Sequence, residues 1–242
     1  MTNLSVNLNK VAMLRNARPL TIPSVVKMGE ISIAAGAHGL TVHPRPDERH
    51  IRRTDVYDLA DLLKDHPTIE YNIEGNPLES PFMDIIRVVK PDQCTLVPDD
   101  TTQSTSDHGW NVTKDGEKLK PIIDELNSLG CRVSLFMDPD IEQIELVPPL
   151  GCERIELYTE PYATAYREGC GEESFALYKA AAECAQSVGL GVNGGHDLNL
   201  ENLPKFKEIP NLLEVSIGHA LTADALEMGY ANAVKAYLKA LG

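Results

Sequence analysis

Short apolar runs alternate along the chain with longer stretches whose apolar residues recur at helical spacing. The run Leu40-Thr41-Val42 follows Gly36, a residue suited to ending a helix, and is typical of a short buried strand. Val56, Leu59 and Leu63 share one face at helical spacing and predict a helix. The same reading predicts strands at 4–8, 40–42, 69–72, 93–97, 132–137, 154–159, 191–193 and 213–217, with helices near 24–35, 54–64, 82–90, 114–129, 140–147, 174–188 and 222–241.

Strands that alternate with helices indicate an α/β protein with a parallel sheet. A chain of 242 residues is close to the usual length of a closed (β/α)8 TIM barrel, about 250 residues. No Pro/Gly/Ser-rich linker divides the sequence, so we expect one domain over residues 1–242. The alternative is an open doubly wound sheet, but no G-x-G-x-x-G follows the first strand, which weakens a dinucleotide-binding interpretation.

Charge and composition narrow the classes of partner. The net charge of −14 repels nucleic acid and anionic membrane surfaces, so an anionic ligand needs a local cationic pocket. The chain shows neither a secretion signal nor an apolar run near the ~20 residues that span a bilayer. The five cysteines form no C-x-x-C pair and do not indicate a disulfide framework. We therefore expect a soluble cytoplasmic protein with neither nucleic-acid nor membrane partners.

Polar groups follow several predicted strands. His43, Arg45 and His50 come directly after Val42, and such a cluster can bind phosphate or carboxylate and move protons near neutral pH. In a barrel the carboxyl ends of all strands converge on one face. Convergence would bring together Asn7, His43, Glu70, Asp138, His196 and the Gly218-His219 turn.

This set of residues permits several functions. An acid/base enzyme would use the histidines and a carboxylate, with a Gly-led helix start for phosphate. A metal-dependent lyase or hydrolase would use His43, Glu70, Asp138 and His196 as ligands, although no H-x-H or H-E-x-x-H pair appears. A Schiff-base aldolase would use Lys10. A phosphate-binding module without catalysis would have little need of a carboxylate between two histidines.

The motifs together resemble a known family, pyridoxine 5′-phosphate synthase of the deoxyxylulose-dependent vitamin B6 pathway. They occur in the expected order along nearly the whole chain, and the arginine-rich runs are specific in combination. The matching runs are Val6-Asn7-Leu8, Leu14-Arg15-Asn16-Ala17-Arg18, Gly39-Leu40-Thr41-Val42-His43-Pro44-Arg45, Asp47-Glu48-Arg49-His50-Ile51, Glu70, Leu96-Val97-Pro98, Val133-Ser134-Leu135-Phe136, Asn193-Gly194-Gly195-His196 and Ile217-Gly218-His219-Ala220.

The resemblance implies a transferase that condenses 1-deoxy-D-xylulose 5-phosphate with 3-amino-2-oxopropyl phosphate. The products would be pyridoxine 5′-phosphate, inorganic phosphate and water, formed without metal or organic cofactor. It implies His43 and Glu70 as proton acceptors and His196 as proton donor. It also implies a homo-octamer built from dimers. The substrate-binding residues would be Arg45, His50 and Thr105 for the deoxyxylulose phosphate, Asn7, Arg18, Gly218 and His219 for the amino-ketone phosphate, and Asn9, Lys10 and Asp197 beside them.

Three features depart from the family pattern. Asn9-Lys10 replaces the usual Asp-His, Asp197 replaces a Gly, and a few extra residues lie around positions 73–81. A divergent paralogue acting on a related phosphorylated substrate is therefore the alternative function. The polar loop at 98–113 is long enough to predict a lid over the site.

Overall fold

The computed structural model describes residues 2–103 and 105–242, and its centre is a closed barrel of eight parallel strands. Each strand pairs with the next along the chain, and the last pairs with the first. The predicted (β/α)8 TIM barrel is confirmed. The strands are β1 (Asn3–Asn7), β2 (Gly39–Val42), β3 (Glu70–Gly75), β4 (Gln93–Leu96), β5 (Arg132–Met137), β6 (Arg154–Tyr158), β7 (Gly191–Gly195) and β8 (Leu212–Ile217).

Helices surround the barrel, and several begin and end where the sequence indicated. Ser24 caps its helix by accepting a hydrogen bond from the Lys27 amide at 3.2 Å, and Gly36 ends the helix at a φ of 106°. The helices are α1 (Asn9–Asn16), α2 (Val25–Ala35), α3 (Arg53–Leu63), α4 (Phe82–Val89), α5 (Val112–Ser128), α6 (Ile141–Ile144), α7 (Glu160–Arg167), α8 (Gly171–Ser187), α9 (Leu203–Phe206), α10 (His219–Met228) and α11 (Tyr230–Leu241), with a 3-10 turn at Pro148–Leu150.

Four helical predictions were wrong or incomplete. Residues 9–16, expected to be loop, form α1, and the short helices α7 and α9 were not predicted. The single helix expected at 222–241 is two helices, because Gly229 takes φ 85° and ψ 145° and ends α10. Only glycine adopts that conformation without strain. α10 begins at His219, three residues before the predicted start, on the rim of the barrel.

The third strand is longer than predicted, and this changes the position of its side chains. β3 continues from Glu70 through Ile73 to Gly75, which pairs with Leu96 of β4. The Phe82 ring packs so closely on Gly75 that a Cβ there would lie 2.3 Å from it. Glu70 therefore lies at the amino end of the barrel, whereas Glu74 lies near the carboxyl end.

The barrel interior at the amino end is polar and cross-linked by hydrogen bonds. Arg132 donates to Gln93 at 3.0 Å, and Gln93 donates to Glu214 at 3.3 Å. Arg154 lies 3.8 Å from the other oxygen of Glu214, whose pKa is nevertheless raised to about 7 by burial. The main apolar core lies between the strands and the helices. Among the described residues, none of the helices is both long and apolar enough to cross a bilayer.

Candidate active site

A polar cavity of about 230 Å³ opens at the carboxyl ends of the strands. It collects side chains from the ends of β1, β2, β7 and β8 and from the loop after β4. Of the residues predicted to form the site, all but Glu70, Arg18 and Asp138 line it. The lining consists of Asn7, Asn9, Lys10, His43, Arg45, His50, Thr105, Ser106, His196, Asp197, Gly218 and His219.

The predicted position of Glu70 at this cavity is wrong. Glu70 is the first residue of β3, and its carboxylate forms an ion pair with Arg132, the first residue of β5. Its side chain is 34% exposed at the amino end of the barrel. A carboxylate there cannot contact a substrate bound at the opposite end.

Two carboxyl groups that the sequence reasoning missed lie beneath the cavity. Glu74 and Glu156 are both buried, and donor oxygens of the pair lie within 4.8 Å of one another and of a ring nitrogen of His196. Glu74 Oε2 accepts a hydrogen bond from Asn7 at 3.4 Å and lies 3.9 Å from His43 Nδ1. Glu74 is thus a carboxyl group next to the predicted acid/base histidines, and Asp99 Oδ2 lies 3.7 Å from His43 Nε2.

Burial controls the protonation of these carboxyl groups. It raises the pKa of Glu74 to about 8, with the Asp99 charge adding to the effect. Burial also raises the pKa of Glu156, reinforced by the nearby Glu74. Two like charges this close disfavour double ionisation, so the pair holds a proton at neutral pH. Carboxyl groups with raised pKa values are suited to general acid/base catalysis.

Burial favours the neutral form of the two histidines. Burial, with the positive charge of Arg45, lowers the pKa of His43 to about 3. Burial also lowers the pKa of His196, against opposing contributions from Asp197 and Asp99. A neutral imidazole close to a reacting centre is able to accept a proton, as expected of His43.

The backbone of His196 is held in an unusual conformation. Its φ of 74° lies in the left-handed region, which costs a non-glycine residue energy and recurs at functional sites. Thr159 donates to the His196 carbonyl at 3.0 Å, and the imidazole packs 5.2 Å from the Phe136 ring. These contacts fix the ring above the carboxyl pair.

Arg45, a predicted phosphate ligand, is occupied by the protein's own carboxylate. Its guanidinium lies 2.7 Å from Asp99 Oδ2, and both side chains are 3% exposed. The same oxygen accepts a hydrogen bond from Ser106 at 3.2 Å. Burial raises the pKa of Asp99 and Arg45 lowers it. The Asp99 carboxylate therefore pairs with Arg45 where a substrate phosphate would bind.

The loop after β4 is fastened on both sides of the cavity. Arg49 donates to the carbonyls of Gln103 and Thr101, each at 2.6 Å. At its far end the Gly109 amide donates to Asp138 at 3.1 Å, and the Trp110 indole donates to the Leu96 carbonyl at 2.9 Å. Thr105 and Ser106 of this loop line the cavity. Asp138 thus holds the loop.

The start of α1 forms another wall of the cavity. Asn7 Oδ1 accepts from the Asn9 amide at 3.0 Å, and Asn9 Oδ1 accepts from the His43 amide at 2.9 Å. Lys10 also lines the cavity, and its charge contributes to the lowered pKa of His50. Asn9 is therefore turned toward the backbone of β2's carboxyl end, and Lys10 faces the cavity.

The adjoining wall is the beginning of α10, because β8 pairs with β1. Gly218 precedes this helix, and a Cβ at Gly218 would lie 3.0 Å from Asn7. Glycine is needed for that close approach. The amides at a helix amino terminus attract phosphate, so Gly218 and His219 are placed as predicted for a phosphate site.

Arg18 lies apart from the cavity. It is exposed and lines a separate apolar surface depression with Leu14, Ala17, Leu20, Ile22 and Pro23. Within one chain Arg18 does not reach the cavity, so its contact with the amino-ketone phosphate stays a prediction.

One group of donors has the spacing for a metal ion. Glu74, Glu156 and His196 each offer one donor atom to it. Among the described residues, Glu74 Oε1, Glu156 Oε1 and His196 Nδ1 have no protein hydrogen-bond partner. The set differs from the predicted metal ligands, since Glu70 is at the other end of the barrel and Asp138 holds a loop.

A closed parallel barrel whose carboxyl end carries paired acid/base groups and phosphate-suited walls belongs to the class of (β/α)8-barrel enzymes. Residues 4–242 match the profile of the family described as pyridoxal phosphate biosynthesis protein PdxJ. The chain belongs to this family, and the prediction from its motifs is confirmed.

Curated relatives agree with this assignment. The pyridoxine 5′-phosphate synthase of Bacteroides fragilis strain YCH46 is 52% identical over 242 residues, which is 100% of both chains. That of Albidiferax ferrireducens is 50% identical over 246 residues, covering 99% of this chain and 97% of the relative. Both alignments cover the whole barrel.

Solved structures show the same fold at low sequence identity. A structure described as native KDPGal has a TM-score of 0.65 and 12% identity, over 98% of this chain and 93% of that one. Phosphoribosyl anthranilate isomerase from Thermotoga maritima has a TM-score of 0.64 and 12% identity, over 100% and 98% of the two chains. These likenesses support the barrel alone.

Proposed function

We propose that the enzyme condenses 1-deoxy-D-xylulose 5-phosphate with 3-amino-2-oxopropyl phosphate and closes the pyridine ring of pyridoxine 5′-phosphate, releasing inorganic phosphate and water. The observation that carries the proposal is the placement of two cavity-lining histidines, His43 and His196, beside the Glu74–Glu156 pair. Imine formation, dehydration and phosphate elimination each need a proton moved at a different atom. Family membership supplies the substrates.

The two substrates have separate phosphate positions in this proposal. Arg45, His50 and Thr105 hold the deoxyxylulose phosphate on the β2 side of the cavity. Once its ion pair with Asp99 is broken, the Arg45 guanidinium can donate two hydrogen bonds to phosphate oxygens. At the end of β8, Gly218 and His219 hold the amino-ketone phosphate at the start of α10.

The central groups transfer protons between these positions. His43 is neutral and accepts a proton, and the Glu74–Glu156 pair accepts or delivers one because burial raises the pKa of both carboxyl groups. His196 donates. Burial lowers its pKa, but a substrate phosphate beside it adds negative charge and favours the imidazolium.

Lys10 and Asp197 add opposite charges to the same cavity. Lys10 lowers the pKa of His196 and Asp197 raises it, so the two changes from the family pattern offset each other at the proton donor. This balance supports the family reaction over a divergent paralogue with another phosphorylated substrate.

The loop between β4 and α5 is proposed to close over the reacting substrates and exclude water. Its contacts with Arg45, which lines the cavity, and with Arg49 of the same segment support this role, because they tie the loop to the carboxyl end of β2. Protease cleavage within the loop should slow when substrate is bound. Equal cleavage with and without substrate would exclude closure.

We also propose a homo-oligomer, with dimers as the first step toward an octamer. Leu14, Leu20 and Ile22 are exposed by 51%, 51% and 68% around the depression that holds Arg18. Contiguous exposed apolar groups of this kind mark protein interfaces. Association through this patch would place Arg18 against another copy. Light scattering on the purified chain distinguishes a monomer from an assembly.

The test of the reaction is direct. The chain is incubated with both phosphates, with each one alone and with neither, while pyridoxine 5′-phosphate is measured chromatographically and inorganic phosphate colorimetrically. We expect both products in equal amounts only when both substrates are present. His196→Ala should lower the rate by about 10²–10⁴, the usual contribution of one acid/base group. Phosphate release without the pyridine would contradict the proposal.

A further inference from the structure

His50 lies in an irregular segment between β2 and α3 that needs external support. Glu48 in this segment has a φ of 50°, a strained value for a residue with a side chain. His50 nevertheless is only 7% exposed and lines the cavity. A ring that must meet a phosphate within hydrogen-bond distance needs its backbone fixed.

The last turn of α1 supplies that support. Asn16 donates through Nδ2 to the His50 carbonyl at 2.8 Å and to the Arg49 carbonyl at 3.2 Å. Arg15 donates to the same His50 carbonyl at 3.1 Å, and its Nε donates to Asn16 Oδ1 at 3.1 Å. Two side chains from one helix turn thus converge on one backbone oxygen.

Arg15 is in turn held by a buried partner. Its guanidinium pairs with both oxygens of Asp55, at 2.9 Å for the longer contact, and the two side chains are 6% and 9% exposed. Asp55 also accepts from the Arg52 amide at 2.8 Å, which fixes the start of α3. The His50 segment is therefore braced between α1 and α3.

The position of the His50 ring follows from this brace. His50 Nδ1 accepts a hydrogen bond from the Ile51 amide at 2.9 Å. Burial, together with His43, lowers the pKa of His50 to about 3, so the ring is neutral and its proton is on Nε2. His50 therefore offers a phosphate one directed N–H, whose aim depends on the backbone at residues 50 and 51.

We propose that Arg15 and Asn16 are positioning residues that aim His50 at the phosphate of the deoxyxylulose substrate. Neither lines the cavity, so they act through His50. The inference rests on the proposed function for the identity of that substrate. It distinguishes the two substrates, because the amino-ketone phosphate is placed at Gly218 and His219, at the end of β8 and not of β2.

The first test uses Asn16→Ala, which removes a half-buried neutral side chain and leaves the Arg15–Asp55 pair intact. Calorimetric titration with deoxyxylulose phosphate alone should show about fivefold weaker binding, ~1 kcal/mol, the net contribution of one hydrogen bond. Binding of the amino-ketone phosphate should stay within twofold. In the full assay, KM for deoxyxylulose phosphate should rise while kcat stays within about twofold of the original.

Arg15→Lys is the second variant, because it keeps a positive charge beside Asp55 but loses the directed fork that reaches the His50 carbonyl. It should show the same selective weakening. The matched control is Asn127→Ala, which also removes an Asn donor to a backbone carbonyl, that of Gly151 at 2.9 Å, away from the cavity. The control should leave both affinities unchanged.

Equal affinity for deoxyxylulose phosphate in the original chain and both variants would overturn the inference. Equal weakening for both substrates would also overturn it, because that pattern indicates general loosening of the fold. The binding test of Arg15 and Asn16 can be decided independently of the reaction assay that tests the proposed function. A chain that binds deoxyxylulose phosphate without forming product contradicts the reaction, while the binding comparison still decides the role of Arg15 and Asn16.

Discussion

Replacing Glu74 and Glu70 separately by Gln distinguishes the two ends of the barrel. Glu74→Gln keeps the size of the side chain and an oxygen for Asn7, but removes the titratable group 3.9 Å from His43. Loss of one acid/base group should lower kcat by about 10²–10⁴, which is about 2.7–5.4 kcal/mol in the activation barrier.

Glu70→Gln should affect stability and leave catalysis unchanged. The Glu70–Arg132 pair is partly exposed, at 34% and 19% of the two side chains, and Arg132 keeps its hydrogen bond to Gln93. Loss of such a pair costs about 1 kcal/mol or less. For a chain of this size that lowers the melting temperature by about 2–4 °C. We expect kcat within about twofold of the original.

Both variants are assayed at saturating concentrations of both substrates, with a thermal unfolding curve recorded for each. The original chain and both variants must be folded at the assay temperature for the rates to be compared. A large fall in kcat for Glu70→Gln with a normal rate for Glu74→Gln would refute the placement of the acid/base carboxyl group at the carboxyl end.

Three further changes have defined outcomes. Asp99→Asn should lower KM for deoxyxylulose phosphate severalfold in initial-rate assays, because it removes the anion that competes for Arg45, and a raised KM would contradict this competition. Restoring the family residues together with Asn9→Asp, Lys10→His and Asp197→Gly should change product formation less than about tenfold if Lys10 and Asp197 offset each other at His196, whereas a tenfold rise would identify a paralogue that has diverged from this reaction. The melting temperature of Glu74→Gln should rise relative to that of the original chain as pH is raised from about 5 to about 8. Burial raises the pKa of Glu74 to about 8 from an ordinary 4.5, so the original folded chain loses stability as pH rises through that window. A constant difference in melting temperature across these pH values would show that Glu74 titrates normally.

Much of the barrel follows from local pattern. Val42 and Ile217 end buried strands, and the polar residues after them reach one face because parallel strands all point the same way. Hence His43, His196 and the Gly218-His219 turn were predictable. Gly229 was visible within an amphipathic run, but continuous helical spacing hid the change of conformation that separates α10 from α11.

The wrong carboxylate has a simple physical reason. Glu70, Asn72 and Glu74 alternate with apolar residues, so a period of two turns all three side chains into the barrel. Periodicity then fails to show which Glu is near the carboxyl end, because only the strand's true limits decide that. Matching Glu74 in place of Glu70 also accounts for much of the apparent insertion around 73–81.

Two other site residues depended on packing that sequence pattern does not encode. Glu156 lies inside a strand, in register with Asn193 of β7, and only barrel closure brings it under His196. Asp99 belongs to a loop, and its pairing with Arg45 follows from how that loop folds over β2. The brace from Arg15 and Asn16 was hidden because α1 was predicted as loop.

A crystal structure of the chain with deoxyxylulose phosphate and an unreactive analogue of the amino ketone phosphate tests the central claim most directly. We expect both molecules in the cavity at the carboxyl end, with one phosphate within about 3.2 Å of Arg45 and His50 Nε2 and the other at the amides of Gly218 and His219. Phosphates bound at the amino end, beside Arg132 and Arg154, would contradict the account.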